Sequence, residues 1–209
     1  MEQNMAVQLQ VLFILGMASY VMTAINFLIK FPDLMNQGPG CPKIPAIKDF
    51  NPEQYAGTWY EIQKLNNTLQ INSKCVSYTQ SATRNGSFDV DYRRIITLLG
   101  KNFDITTSGK FTRIDKKRPN LFSVVIKKLE MVNYYILETD YNNYSIAYTC
   151  SKMFGFPRIE MAWLLSRSKQ NMISESEMAN LYSKMTNLGI DASKFTESSQ
   201  DSCEADFTI

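Results

Sequence analysis

The chain has no histidine among its 209 residues. That absence removes a Ser/His/Asp triad, a Cys/His dyad, a His-ligated zinc site and a haem with a proximal histidine. Charge is also sparse, at 20% of residues, with 22 basic against 20 acidic side chains and a formal net charge of +2. The longest basic run is Lys116-Lys117-Arg118. It is too short to track a phosphate backbone, so nucleic acid is set aside as a partner. No two of the four cysteines form a C-x-x-C pair, which argues against a thiolate metal site. What the chain does have is apolar substance: 44% hydrophobic residues, enough to bury a core in one domain or at most two.

Charge is missing altogether from Gln3 to Ile29, and Val11 to Ile29 is apolar except for Ser19, Thr23 and Asn26. Such a stretch inserts into membranes. A polar joint with Pro32, Gly38, Pro39 and Gly40 follows it, so residues 1–40 read as a secretory signal and short linker, cleaved between Ala24 and Gly40. Residues 41–209 are then the folded domain. The lack of Lys or Arg before the apolar run supports the alternative of a retained anchor, which would tether the protein to a membrane.

Cys41, Cys75, Cys150 and Cys203 all follow that joint and are even in number, which favours disulfides in an oxidising compartment. Four cysteines allow three connectivities, and spacing does not choose among them. Asn66, Asn85 and Asn143 each begin an Asn-x-Ser/Thr triplet, consistent with glycosylation during secretion.

From Trp59 to Arg167 the sequence breaks into short runs rich in Val, Ile, Tyr, Phe and Thr, separated by turn residues. Val76, Tyr78 and Ala82 alternate with Ser77, Thr79, Ser81 and Thr83. Asn85-Gly86 predicts a type I′ hairpin, after which Phe88, Val90 and Tyr92 alternate with Asp89, Asp91 and Arg93. Further strands are expected at Gly57 to Leu65, Asn102 to Arg113, Leu121 to Lys127, Tyr134 to Thr139, Tyr144 to Cys150 and Ile159 to Ser166. Eight strands with local connections predict an all-β fold, an antiparallel up-and-down β-barrel wide enough to be filled by side chains or to hold one small ligand. Ser174 and Glu177 form a capping box, and Met178, Leu181, Met185 and Leu188 lie at helical spacing before Gly189. They predict one C-terminal α-helix packed outside the barrel.

Three distant segments then read together: Gly57-Thr58-Trp59-Tyr60-Glu61, Thr139-Asp140-Tyr141, and Arg167 at the end of the last strand. In that order and on those strands they resemble the signature regions of the lipocalin family, over residues 41 to 205. The resemblance implies a calyx whose closed end is plugged by Trp59 under Arg167, a cation–π partner, with Gly57, Thr139, Asp140 and Tyr141 as structural residues. Cys41-Pro42, Tyr55 to Glu61, Ile136 to Tyr144, Tyr148-Thr149-Cys150 and Ala162 to Arg167 resemble, within that family, the group of apolipoprotein D, bilin-binding protein, insecticyanin and Lazarillo. That group implies Cys41 paired with Cys150 and Cys75 with Cys203. The C-terminal Glu204 to Ile209 has no hydrophobic tail of the kind a lipid anchor needs.

In a meander barrel alternate residues face inward. The apolar phase nominates Val76, Tyr78, Gln80 and Ala82, then Phe88, Val90, Tyr92 and Arg94. Phe103 and Ile105, Phe122, Val124 and Ile126, and Tyr135 and Leu137 complete the set. The resemblance also places Gln80, Tyr92, Arg94 and Tyr135 at the cavity, with Tyr135 replacing a tryptophan and Arg94 an acidic residue. Arg94 on an inward face predicts either a snorkelling mouth residue or a partner for a ligand carboxylate. The expected function is a secreted, extracellular carrier, with no catalysis and no required cofactor. Its bound molecule is expected to be a biliverdin-like pigment, retinoid, sterol, fatty acid or other lipid. A tethered recognition protein and a lipid-peroxide-reducing protein, with Met131 as the oxidisable residue, are the alternatives.

Overall fold

The computed structural model describes residues 40–65, 70, 72–127, 129–151 and 159–203. The signal or anchor segment and Asn66 lie outside the described residues. A one-turn helix α1 (Pro52–Tyr55) leads into β1 (Gly57–Leu65), β2 (Ser73–Ala82), β3 (Phe88–Leu98) and β4 (Lys101–Arg113). These continue as β5 (Leu121–Ile126), β6 (Leu129–Thr139), β7 (Tyr144–Ser151) and β8 (Ile159–Ser166). After the barrel come α2 (Glu175–Asn187), a 3₁₀ turn (Ala192–Lys194) and a short β9 (Phe195–Glu197).

Each strand from β2 to β8 pairs antiparallel with its sequence neighbour, β8 pairs with β1, and β1 pairs back to β2. The sheet therefore closes on itself as an eight-stranded antiparallel barrel. Its seam is uneven. β3 and β4 stay in register from Phe88↔Phe111 to Leu98↔Lys101, whereas β1 and β2 share only Gly57↔Gln80 to Tyr60↔Ser77. Beyond Tyr60 the two strands diverge, and the C-terminal tail fills the gap. β9, which the sequence pattern did not show, pairs with Gln63, Lys64 and Leu65. Ser198 N donates to Ile62 O (2.9 Å), Cys75 N donates to Ser199 O (2.8 Å), and Gln200 Nε2 donates to Glu61 O and Val76 O. The Cys75–Cys203 disulfide fixes the end of this wedge, and Cys41–Cys150 ties the N-terminal approach to β7.

Two local expectations change. The β2–β3 hairpin exists, but only Gly86 has positive φ (73°), so the turn is type I followed by a left-handed glycine and not type I′. Asn85 stays right-handed because its Oδ1 accepts from Thr83 Oγ1 (2.7 Å) and Ser87 N (3.2 Å). Strand β6 starts at Leu129, five residues before the apolar pattern at Tyr134 suggests, since its first turns expose polar residues such as Glu130 and Asn133.

Hydrophobic residues separate onto two faces of the barrel wall. Inside, Trp59, Phe88, Phe111, Phe122, Tyr134, Ile136 and Trp163 belong to one core. Outside, Leu181 and Met185 of α2 pack on Ile62, Leu137, Ile146 and Leu164. Ser174 caps α2 by accepting from Glu177 N (3.2 Å), and Gly189 takes the left-handed position after it (φ 79°).

Candidate binding cavity

The closed end of the barrel is built on Trp59, whose indole is fully buried and whose Nε1 donates to Tyr55 O (2.9 Å). The Arg167 guanidinium lies 3.7 Å from the centre of the indole ring. It donates to five backbone carbonyls, those of Tyr141, Thr58, Gln54, Tyr55 and Ala56, at 2.9 to 3.1 Å. Gly57 sits at φ 105°, where a Cβ would come within 3.0 Å of Arg167 Nη1. Glycine is needed there for both reasons. Beside this, Asp140 Oδ1 accepts from the backbone N–H groups of Asn142, Asn143 and Tyr144. Burial would raise the Asp140 carboxyl, but these bonds outweigh it and hold the group below its ordinary value. Thr139 Oγ1 accepts from Tyr141 N and donates to Tyr144 O, and Tyr141 OH accepts from Asn51 N. Thus Gly57, Trp59, Thr139, Asp140, Tyr141 and Arg167 meet at one end, where they brace the fold.

Above that plug the barrel encloses a cavity of about 350 Å³. Of the residues the sequence nominates, Tyr78, Tyr92, Arg94, Ile105 and Ile126 line it. Phe88, Val90, Phe122 and Val124 also point inward, but they fill the closed half with Trp59. Gln80 is buried at the same depth, opposite Gly57 and Val90, and neither side-chain polar atom has a partner among the described residues. Phe103 keeps the inward phase of β4 but lies beyond the wall at the mouth, 47% exposed.

Tyr135 and Leu137 require correction. Both lie on the outer face, Leu137 buried against the α2 core and Tyr135 beside the Cys41–Cys150 bridge. Alternation is regular from Tyr134 to Leu137, but large apolar residues occupy both phases, so the sequence leaves the inward phase of β6 ambiguous. Tyr134 and Ile136 face inward in their place. The idea that Tyr135 replaces a cavity tryptophan therefore fails, because Tyr135 does not reach the cavity.

Several lining residues escaped the sequence reading: Gln70, Thr107, Phe111 and Lys127 on one hand, Met131, Tyr134, Met161 and Trp163 on the other. For Met161 and Trp163 the signal was present, since Met161, Trp163 and Leu165 recur every second residue on β8. Gln70 comes from the β1–β2 connection, where no periodicity guides a reading.

The polar side of the cavity is a network centred on Glu61, which is 0% exposed. Glu61 Oε2 accepts from Gln70 Nε2 (2.8 Å) and Tyr78 OH (3.3 Å). Glu61 Oε1 accepts from Ser198 Oγ (2.7 Å) and lies 3.5 Å from Lys64 Nζ. Gln70 Oε1 accepts from Trp163 Nε1 (3.2 Å), and Gln70 Nε2 also reaches Tyr92 OH (3.3 Å). Burial pushes the Glu61 carboxyl up, against the pull of Lys64 and of hydrogen bonds from Ser198 and Gln70. Burial likewise raises the phenols of Tyr78, Tyr92 and Tyr134, so all three remain neutral hydroxyls at physiological pH. At the mouth the Arg94 guanidinium stands 5.6 Å from the Tyr92 ring centre, and Lys127 adds a second cation. All four cysteines are in disulfides. Asn85 and Asn143 are exposed on turns, and Asn143 Nδ2 donates to Asp140 Oδ2 (2.6 Å).

Residues 50–200 match the family model described as a lipocalin-like domain. Apolipoprotein D of Macaca fascicularis is 26% identical over 171 residues, covering 78% of this chain and 84% of that protein. The Lazarillo protein of Schistocerca americana is 29% identical over 189 residues, covering 85% and 83%. The structure of insecticyanin from the tobacco hornworm Manduca sexta superposes with a TM-score of 0.66 at 22% identity, over 84% of this chain and 93% of that one. A barrel stoppered by a tryptophan beneath an arginine and a family match over most of the domain lead to one assignment: the chain belongs to the lipocalin family.

Proposed function

We propose that the protein is a secreted carrier that holds one small hydrophobic molecule in its barrel. The observation that carries this reading is the cavity of about 350 Å³, walled by Phe111, Tyr134, Met161 and Trp163 and furnished with a few polar groups, among them Gln70, Tyr78 and Tyr92. Apolar burial supplies affinity and a few convergent polar groups supply orientation, the usual division of labour in small-molecule sites. The two disulfides and the exposed Asn-x-Ser triplets at Asn85 and Asn143 support an extracellular setting. The ligand set comprises bilin-like pigments, retinoids, sterols and fatty acids. A member bearing a carboxylate would set that group against Arg94 and Lys127, where water still reaches both.

Titrating biliverdin, retinol, cholesterol and palmitate into the protein while following tryptophan emission tests this. Trp163 lines the cavity, so a bound guest quenches or shifts it. The expected result is saturable one-to-one binding of at least one class, with mutual competition. No binding of any of the four would overturn the carrier reading.

A further inference from the structure

The Gln70 carboxamide is a polar group inserted into the wall of an apolar cavity, and its bonding is fully directional. Its oxygen must accept, because Trp163 Nε1 can only donate, and that leaves its nitrogen to donate to Glu61 Oε2. Tyr78 OH and Tyr92 OH lie at 3.4 and 3.3 Å from the same nitrogen. Two N–H hydrogens cannot serve three acceptors at once, so the cluster offers more bonding capacity than Gln70 can fill.

The carboxylate is divided between two tasks. Oε1 faces Ser198 and Lys64, which hold the C-terminal wedge and the ion pair. Oε2 faces Gln70 and Tyr78, both of which line the cavity. Glu61 is therefore one side chain removed from the ligand space, with Gln70 between them.

We propose that the Gln70 carboxamide keeps the place of a ligand's neutral donor–acceptor group, a lactam, carboxamide or hydroxyl, and that Glu61 and Trp163 select such a group over a carboxylate. This rests on the carrier reading above. A lactam or hydroxyl that displaces Gln70 restores both obligatory bonds, donating to Glu61 Oε2 and accepting from Trp163 Nε1. A carboxylate in that position has no hydrogen for Glu61 and sets two anions together in a water-poor wall, where their repulsion is strong. A ligand with both kinds of group is thereby oriented, its neutral polar end at Gln70 and its anionic end at Arg94 and Lys127.

Retinol and retinoic acid share a hydrocarbon body and differ in this end group, so they serve as probes against wild type, Gln70→Ala and Gln70→Ala with Glu61→Gln. Removing the carboxamide should raise retinol affinity about tenfold, the value of one hydrogen bond to a charged group, while retinoic acid gains nothing. Adding Glu61→Gln should abolish that difference. An equal gain for both probes, or a difference that survives Glu61→Gln, would overturn the proposal. If neither retinoid binds any variant, the carrier reading is decided by the four-ligand titration above, and the subsite is still tested. Acetamide should then raise the melting temperature of Gln70→Ala while acetate at the same concentration does not, and equal shifts or none overturn it. Should Gln70→Ala not fold in plain buffer, recovery of folded protein in acetamide alone counts in favour, and recovery in both or neither counts against.

Discussion

The two halves of the barrel handle buried polar chemistry in opposite ways. At the closed end Arg167 is matched to backbone carbonyls whose positions the chain itself fixes, and the Trp59 indole lies fully buried beneath it. In the open half Glu61, Lys64, Gln70 and the tyrosines bond mainly to one another's side chains beside the cavity. Backbone partners make a rigid stopper. Side-chain partners can exchange for groups on a guest.

The largest effect expected from breaking this contrast is at the stopper. Trp59→Ala removes the largest fully buried side chain and the platform for Arg167, and should cost about 3 to 5 kcal/mol in urea denaturation. Gly57→Ala comes next: the added Cβ meets Arg167 in a backbone region unfavourable to alanine, for a loss of about 1 to 3 kcal/mol by the same measurement. Across the barrel, Ile105→Trp extends a half-buried side chain into the cavity. It should change stability by less than about 1 kcal/mol while weakening ligand binding at least about tenfold, read by fluorescence titration. If Ile105→Trp unfolds the protein, the open half is as tightly committed as the closed one.

The smallest effect separates the halves by pH. Burial raises the Glu61 carboxyl in the folded protein, so folding favours its protonated form. That contribution is complete below the unfolded value near about pH 4 and is lost as pH rises through the higher folded value. The melting temperature of wild type minus that of Glu61→Gln should therefore fall as pH rises from about 4 to neutrality. A difference that grows over that range would show that Lys64, Ser198 and Gln70 outweigh burial.

The legible parts of this protein were those governed by period and by fixed geometry. Alternation on β2 and β3 gave the correct inward phase for Tyr78, Tyr92 and Arg94, and Ser174 with Gly189 bounded α2 closely. The stopper residues and the disulfide pairing came from resemblance, since spacing alone left three connectivities. Alternation misled where two large apolar residues stand side by side. Tyr134 and Tyr135, or Ile136 and Leu137, are all apolar because the wall of β6 is covered on both faces, one by the cavity core and one by α2. Gln70 and the β9 wedge were illegible for other reasons: β9 pairs with β1 residues more than a hundred positions away, and Gln70, though near Glu61 and Tyr78 in sequence, sits in a connection that has no period.

The uneven seam also sets an order of events during synthesis. The first strand must wait for β8 on one side and for Phe195 to Cys203 on the other before its edge is covered, and these pairings join residues distant in sequence, Tyr60 with Ser166 and Gln63 with Glu197. Such a cup stays unsealed until Phe195 to Cys203 has paired and the Cys75–Cys203 bridge has formed, so on the carrier reading proposed above a guest is held only after that last closure.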